Sequence, residues 1–301
     1  MSLKVILTII SALILISLLF FYLTPLSTIN FSTNSGNSNF SIVPEENKMQ
    51  FYPNMRFPSA EISYNISSCP LQKENDMQTA LDIMENLTLL RFNPASENEE
   101  ISITCDEKNQ YSSGMFIAGE GGATKIIQAG NFNVIFNGEI LLIKKSNCPN
   151  PNVALHELFH VLGFEHSANP NNIMYNVTDC SQEISEDMIQ LINNLYSAPS
   201  YPDLVLENAS AVMKGRFLDV NMTVMNLGLK DAEKSQVVIY ADGNQIKEMN
   251  ISPLEIGRGE SVVIGNILIP EISIKELSLD IKYSPSELSK ENNNIKLKIK
   301  E

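Results

Sequence analysis

The sequence predicts an α+β domain with a mixed sheet and about three helices, followed by an all-β sandwich and preceded by one N-terminal membrane helix. Three observations carry this. Residues 5–23 run without a charge. Residues 58–197 alternate between helical and strand periodicity. Residues 198–301 break into short alternating runs separated by turns, the pattern of an immunoglobulin-like sandwich. A chain of 301 residues suits two domains, and 44% hydrophobic residues can fill their cores. The net charge of −14, without a basic cluster, excludes a nucleic-acid partner.

The N-terminal run is VILTIISALILISLLFFYL. As a helix it spans roughly 28 Å, close to the hydrocarbon thickness of a bilayer. No small-x-small cleavage site follows in TPLSTINFS, so residues 1–24 read as an uncleaved signal anchor, with a cleaved signal peptide as the alternative. Lys4 keeps the N-terminus inside. The expected location is therefore the cell membrane, single-pass with the rest outside, or secretion if the segment is cleaved. Residues 25–57, polar and broken by prolines, read as a stalk or linker, or as a short propeptide. Cys69, Cys105, Cys148 and Cys180 all follow the apolar segment. An even number in an exported region predicts two disulfides, with three connectivities open. Without a C-x-x-C spacing, a structural zinc cluster is not expected. Eight N-x-S/T sequons suggest a glycosylated surface.

Within residues 58–197, EISYNIS alternates as a strand, and apolar residues at helical spacing across MQTALDIMENLTLLRF predict an amphipathic helix over 77–92. ISITC is a strand, and SGMFIAGEGG a glycine-rich turn. Two apolar runs, TKIIQA and NVIFNGEILLIKK, follow, and Asn137-Gly138 predicts a tight turn inside the second. A helix containing HELFHVLGFEH comes next, then the loop SANPNNIMYNVTDC and the helix SQEISEDMIQLINNLYS. SAPSYP marks the boundary. Beyond it, seven runs (DLVLENA, FLDVNMTVMN, SQVVIYA, QIKEMN, SVVIGNILI, ELSLDIKY and NIKLKI) predict the strands of a second domain over 198–301.

The string HELFHVLGFEH holds all three histidines of the chain. On a helix, positions i and i+4 share a face, so His156 and His160 can reach one ion through neutral imidazoles, which suits Zn²⁺. Glu157 sits about 100° around the helix, placed to take a proton from a zinc-bound water rather than to bind the ion. Gly163 can adopt the left-handed conformation that ends a helix, letting His166 fold back as third ligand. Three neutral ligands leave an open position, as a catalytic zinc site requires. Cys148 and Cys180 flank this region, so a bridge between them would brace it, leaving Cys69 to pair with Cys105.

This string resembles the extended zinc-binding motif of the metzincin zinc metalloendopeptidases. Met174, eight residues after His166, fits that clan's Met-turn. Ser167 after the third histidine, Tyr175 after the methionine, and EISEDMIQLINNLY resemble the matrixin-like branch. The resemblance covers about 58–197 and implies a metzincin-type fold, one catalytic Zn²⁺ and a protein or peptide substrate. The peptide would lie along an edge strand within 124–145. Two departures stand out. No P-R-C-G-x-P-D cysteine switch is present, so that mode of latency is not implied, and residues for structural calcium or a second zinc are not recognisable. Asn176 stands where a zinc-ligating tyrosine occurs in the astacin-like and serralysin-like branches, which leaves Tyr175 as a wall of the substrate cleft. In the C-terminal region, PDLV, TVMNLG, VVIYADG and ENNN resemble CARDB-type adhesion-related domains, implying a surface partner for the sandwich. The chain is thus expected to be a surface-anchored zinc endopeptidase. The alternative is a non-catalytic adhesion protein in which the zinc domain is a scaffold.

Overall fold

The computed structural model describes residues 3–23, 28–32, 49–106, 110–112, 115–144, 148–271 and 273–299. The chain divides into two compact units. One holds Asn39–Tyr201 with Gly228–Lys230, and the other Met1–Ser38, Pro202–Leu227 and Asp231–Glu301.

Helix α1 (Leu3–Leu23) is 21 residues long. Among the described residues no helix is long and apolar enough to cross a membrane, and side chains of α1 are described only for residues 4–19. The expected membrane helix is therefore a helix here, but the structure does not support it as a span. Strand β1 (Thr28–Ser32) corrects the stalk expected over 25–57. Its alternation puts Ile29 half-buried and Phe31 2% exposed in the core of the C-terminal unit, so an apolar period of two wins over the polar composition around it. Residues 33–48, the middle of that stalk or propeptide, lie outside the described residues.

The first unit contains β2 (Met55–Arg56), β3 (Glu61–Ile66), α2 (Leu71–Leu87), β4 (Arg91–Pro94), β5 (Ile101–Cys105), β6 (Gln110–Ser112), β7 (Met115–Ile117), β8 (Gly119–Ala129), β9 (Phe132–Leu142), α3 (Asn152–Val161) and α4 (Glu186–Ser197). Its sheet runs β2-β9-β5-β3-β4 with parallel pairings, and β8 pairs antiparallel with the other side of β9. Among the described residues β8 pairs with β9 alone and is thus an edge. Core residues from α2, α3 and α4 join the strands in one cluster that includes Met84, Ile103, Phe159 and Leu191.

Helix α2 lies six residues N-terminal to the expected start. Apart from the exposed Leu71 its first turn is polar and carries no apolar period, yet Lys73 is buried there, donating to the carbonyls of Asp106 and Leu142 at 2.6 and 3.2 Å. The helix stops at Thr88, whose backbone N–H and hydroxyl both donate to Met84 O, and Arg91–Pro94 enter the sheet instead. The tight turn expected at Asn137-Gly138 does not form. Gly138 lies inside β9, paired with Ile101 on one side and Ala123 on the other. A side chain there would collide with Val161 of α3, so this glycine serves close packing of helix on strand. The turn falls at Gly130-Asn131, between Ala129 and Phe132, with Gly130 at φ 56°.

Arg56 ties the start of this unit to its last helix. Buried to 1% exposure, it donates to the carbonyls of Leu195 and Ala198, and its guanidinium stacks 4.5 Å from the Tyr196 ring. A cation at a helix C-terminus meets the negative end of the dipole and the carbonyls left unpaired there. Burial lowers its pKa, opposed by Tyr196.

The second unit contains β10 (Leu204–Lys214), β11 (Phe217–Asn226), β12 (Ser235–Ala241), β13 (Asn244–Ile251), β14 (Gly259–Leu268), β15 (Leu277–Lys282) and β16 (Asn294–Ile299). With β1 the order is β13-β12-β15-β16-β1-β10-β11-β14. All seven expected runs form strands, and β1 adds an eighth, pairing over five residues with β10 and over two with β16. One core cluster lies beneath these strands, filled by residues such as Val220, Val224, Val237 and Leu279.

Candidate metal centre

Helix α3 carries the site because all ten of its residues are buried, fixing its rotation. The helix ends at Leu162, and Gly163 follows at φ +93°, a conformation that glycine adopts without the cost of a Cβ. Gly163 N–H donates to His160 O, and Phe164 N–H to Phe159 O at 2.9 Å, closing a helix-terminating turn. A side chain at Gly163 would also meet Met55 at 2.7 Å. The chain then doubles back and brings His166 to the ligand face of the helix.

The three Nε2 atoms converge. His156 and His160 are 3.0 Å apart, His160 and His166 3.1 Å, and His156 and His166 3.2 Å. The outer nitrogens are occupied, His156 Nδ1 with Ile173 O at 2.7 Å and His160 Nδ1 with Phe164 O at 2.8 Å. Those carbonyls set the Nδ1–H tautomer and leave the Nε2 lone pairs aimed at one point. Burial lowers the pKa of His156, with the Ile173 carbonyl opposing and His166 adding to the fall. Burial, then the neighbouring His156, pushes His160 down to about 4. Both rings are thus neutral at pH 7. Three Nε2 atoms this close, two of them on rings that are neutral, present converging lone pairs that a cation between them would satisfy, so the donor set fits a metal ion. Among the described residues this is the one cluster of three or more His, Cys, Asp or Glu able to hold a metal.

Met174, 1% exposed, follows Ile173, whose carbonyl holds His156 Nδ1. Its N–H donates to Asn172 Oδ1 at 2.8 Å, and its carbonyl accepts from Ser167 N–H at 2.8 Å. Asn172 also donates to Ser185 Oγ at 2.9 Å, fastening this turn to the start of α4. One turn therefore both orients His156, through Ile173, and pins the segment after His166. Tyr175 is half-buried and pairs with Ser167 in an isolated bridge. Cys148 is bonded to Cys180 and Cys69 to Cys105, so one disulfide brackets α3 and the Met174 turn.

Glu157 is 5% exposed on the side of α3 that faces β8. Burial, and then the nearby Glu120, pushes its carboxyl up to about 8. The glycine-rich segment expected as a turn over 113–122 instead holds β7 and the start of β8, with 113–114 outside the described residues, and Glu157 is the reason for two of its glycines. A side chain at Gly119 would meet the Glu157 carboxylate oxygen at 2.7 Å, and one at Gly121 would collide with its backbone carbonyl. These glycines let an edge strand run against the acid. The alternating G-x-G of GEGG was the signal for them, since only every second residue of a strand faces the helix.

Residues 56–197 match the family model for matrixin (Peptidase_M10), and residues 201–298 match the model for CARDB. Residues 56–197 thus resemble a matrixin domain and residues 201–298 a CARDB domain. The matrixin family is one of zinc metallopeptidases, while the CARDB domain is not catalytic. No curated protein matches the chain. Solved structures similar to the CARDB domain include a CARDB domain from Pyrococcus furiosus in complex with di-metal ions. It is 17% identical, covering 32% of this chain and 84% of that one, at a TM-score of 0.27. A domain of a Methanosarcina acetivorans protein is 20% identical, covering 33% of this chain and 91% of that one, at a TM-score of 0.26.

Proposed function

We propose that the matrixin domain is an endopeptidase that hydrolyses extracellular proteins or peptides with one zinc ion held by His156, His160 and His166. The observation that carries this reading is the convergence of three Nε2 atoms within 3.2 Å beside a buried carboxyl, Glu157. The bound zinc supplies Lewis acidity toward water and the scissile carbonyl. Glu157 takes a proton from the attacking water and passes it to the leaving amine. A carboxylate can accept the first proton and give it up in the second transfer, and the burial of Glu157 favours its taking the proton. Strand β8 offers an unpaired edge beside Glu157, on which an extended peptide can add by main-chain hydrogen bonds. That edge begins at Gly119, five residues before the 124–145 window expected from sequence. Met174 supports the ligands from below, and Tyr175 walls the cleft.

Replacing Glu157 with Ala tests the assignment. Cleavage of a casein-type substrate should fall by a factor of about 10³ or more while one equivalent of zinc stays bound. A variant as active as the parent would remove Glu157 from the mechanism, and loss of zinc would make it part of the binding site instead.

We also propose that α1 holds the protein at the cell membrane with both domains outside. The support is the uncharged run of residues 5–23 and the exposure of apolar side chains around the helix, Ile9, Leu13, Leu15 and Leu18 among them. Membrane fractions washed at alkaline pH should retain the full chain, and its appearance in the wash would place it among secreted proteins.

A further inference from the structure

Phe51 and Tyr52 stand out against the way this chain treats its aromatics. Phe57, Phe92, Phe132, Phe159 and Phe164 are all buried, whereas Phe51 is 48% and Tyr52 54% exposed. The two are consecutive and held in place. Phe51 N–H donates to Gly163 O at 2.9 Å, Glu165 N–H donates to Met49 O at 2.9 Å, and Gln50 pairs with Phe164 in an isolated bridge. Gln50 is buried and closes on Met55 in both directions, its Nε2 on Met55 O at 2.8 Å and its Oε1 accepting from Met55 N–H at 3.1 Å. On the far side, Asn133 Nδ2 donates to Pro53 O at 2.7 Å and Asn54 Nδ2 to Asn131 O at 3.0 Å. The segment is thus fastened to the end of α3 and to the β8–β9 turn, and the exposed rings are presented by a fixed backbone. One of them reaches the metal centre: the Phe51 ring lies 6.0 Å from the His160 ring, tilted by 32°.

We propose that Phe51 and Tyr52 form an apolar substrate subsite that selects a large hydrophobic or aromatic side chain about two residues from the scissile bond. This rests on the peptidase reading given above. The position follows from length: an extended peptide advances roughly 3.3 Å per residue, so a side chain two residues from a bond held at the histidines reaches the Phe51 ring. The choice of side chain follows from surface. Two half-exposed rings on an immobile backbone offer apolar area with little ordering cost, and an aromatic guest adds ring–ring contact. Continuity with the metal centre makes the occupant a substrate side chain.

The test compares the full, zinc-loaded chain with its Phe51→Ala, Phe51→Leu and Tyr52→Ala variants on peptides that differ only in carrying Phe, Leu or Ala at each position around the cleaved bond. The parent should show a preference of about tenfold in kcat/KM for Phe over Ala at a single position two residues from that bond. Phe51→Ala should bring that ratio close to one, Phe51→Leu should keep part of it, and Tyr52→Ala should lower it less than Phe51→Ala. Leu71→Ala, an exposed apolar residue on α2, should leave the ratio as in the parent. An identical ratio in parent and Phe51→Ala overturns the subsite. So does an equal fall on every peptide accompanied by lost zinc, which would make Phe51 only a cover for His160. If the parent cleaves no peptide while holding its zinc, the peptidase reading itself fails and the subsite falls with it.

Discussion

The matrixin and CARDB units place their decisive residues at opposite ends of a scale of sequence distance. In the matrixin unit, eleven consecutive residues supply three histidines able to hold a metal, the buried Glu157 and the glycine that folds the third histidine back. In the CARDB unit, a buried core residue, Phe31, comes from a strand that precedes β10 by more than 170 residues of chain. A site built on one helix turn is fixed by local geometry. A sheet accepts a strand from wherever the chain can deliver one, because its pairing uses main-chain groups that every residue carries.

The largest expected effect probes that distant strand. Phe31 is 2% exposed within the second core, and Phe31→Ala removes its ring from a packed site at a cost of about 3–5 kcal/mol. Thermal unfolding should show a transition shifted down by many degrees, while zinc content stays at the parent value. A transition that does not move would mean that β1 adds little to the CARDB unit.

Next comes the covalent brace. The bond between Cys148 and Cys180 closes a 32-residue separation around α3 and the Met174 turn. Chain-entropy arguments give such a loop about 3–4 kcal/mol. Replacing both cysteines with Ser should lower the unfolding midpoint of the zinc-loaded protein and raise its sensitivity to chelators. If only stability falls and chelation is unaffected, the brace serves the fold alone.

How much of each unit was legible in the sequence follows from the same contrast. The convergence of the histidines and the turn at Gly163 are legible because they depend on spacing along the chain. Gly119, Gly121 and Gly138 look like turn residues in the sequence because their role depends on α3 lying against the strands, which local composition does not encode. Residues 28–32 were hidden for a related reason: five residues with one buried phenylalanine, set in polar surroundings, look like linker until their partners β10 and β16 are known. Periodicity also misplaced α2, since its first turn earns its place through a buried lysine rather than an apolar stripe.

The glycines of β8 allow a finer comparison within one strand. Gly121→Ala would drive a Cβ into the carbonyl of Glu157, whereas at Gly122 nothing lies within 4 Å. The first substitution should destabilise the matrixin unit by about 1–3 kcal/mol and lower cleavage by displacing the acid, and the second should change little. Equal behaviour of the two variants would show that β8 and α3 can separate at no cost.

The smallest effect lies in the CARDB unit, where the chain buries carboxyl groups away from any metal site. Asp203 is 5% exposed and accepts from Asn292 Nδ2 at 3.0 Å, and Glu287 accepts from Leu204 N–H at 3.0 Å and Asn293 Nδ2 at 2.8 Å. Burial raises both pKa values, partly offset by these hydrogen bonds, and for Glu287 the charge of Asp203 adds to the rise. The sign of the consequence is fixed by linkage. A carboxyl whose folded pKa lies above its unfolded value binds more protons folded than unfolded, so stability falls as pH rises through the interval between the two. The CARDB transition should therefore move up as the pH is lowered from neutral toward the ordinary carboxylate range of about 4, the reverse of a group stabilised by an ion pair. Asp203→Asn keeps the shape and removes the titration, so it should reduce this pH dependence. A parent transition that moves down on acidification would mean that the hydrogen bonds to these carboxylates outweigh their burial, and that the network favours the charged form.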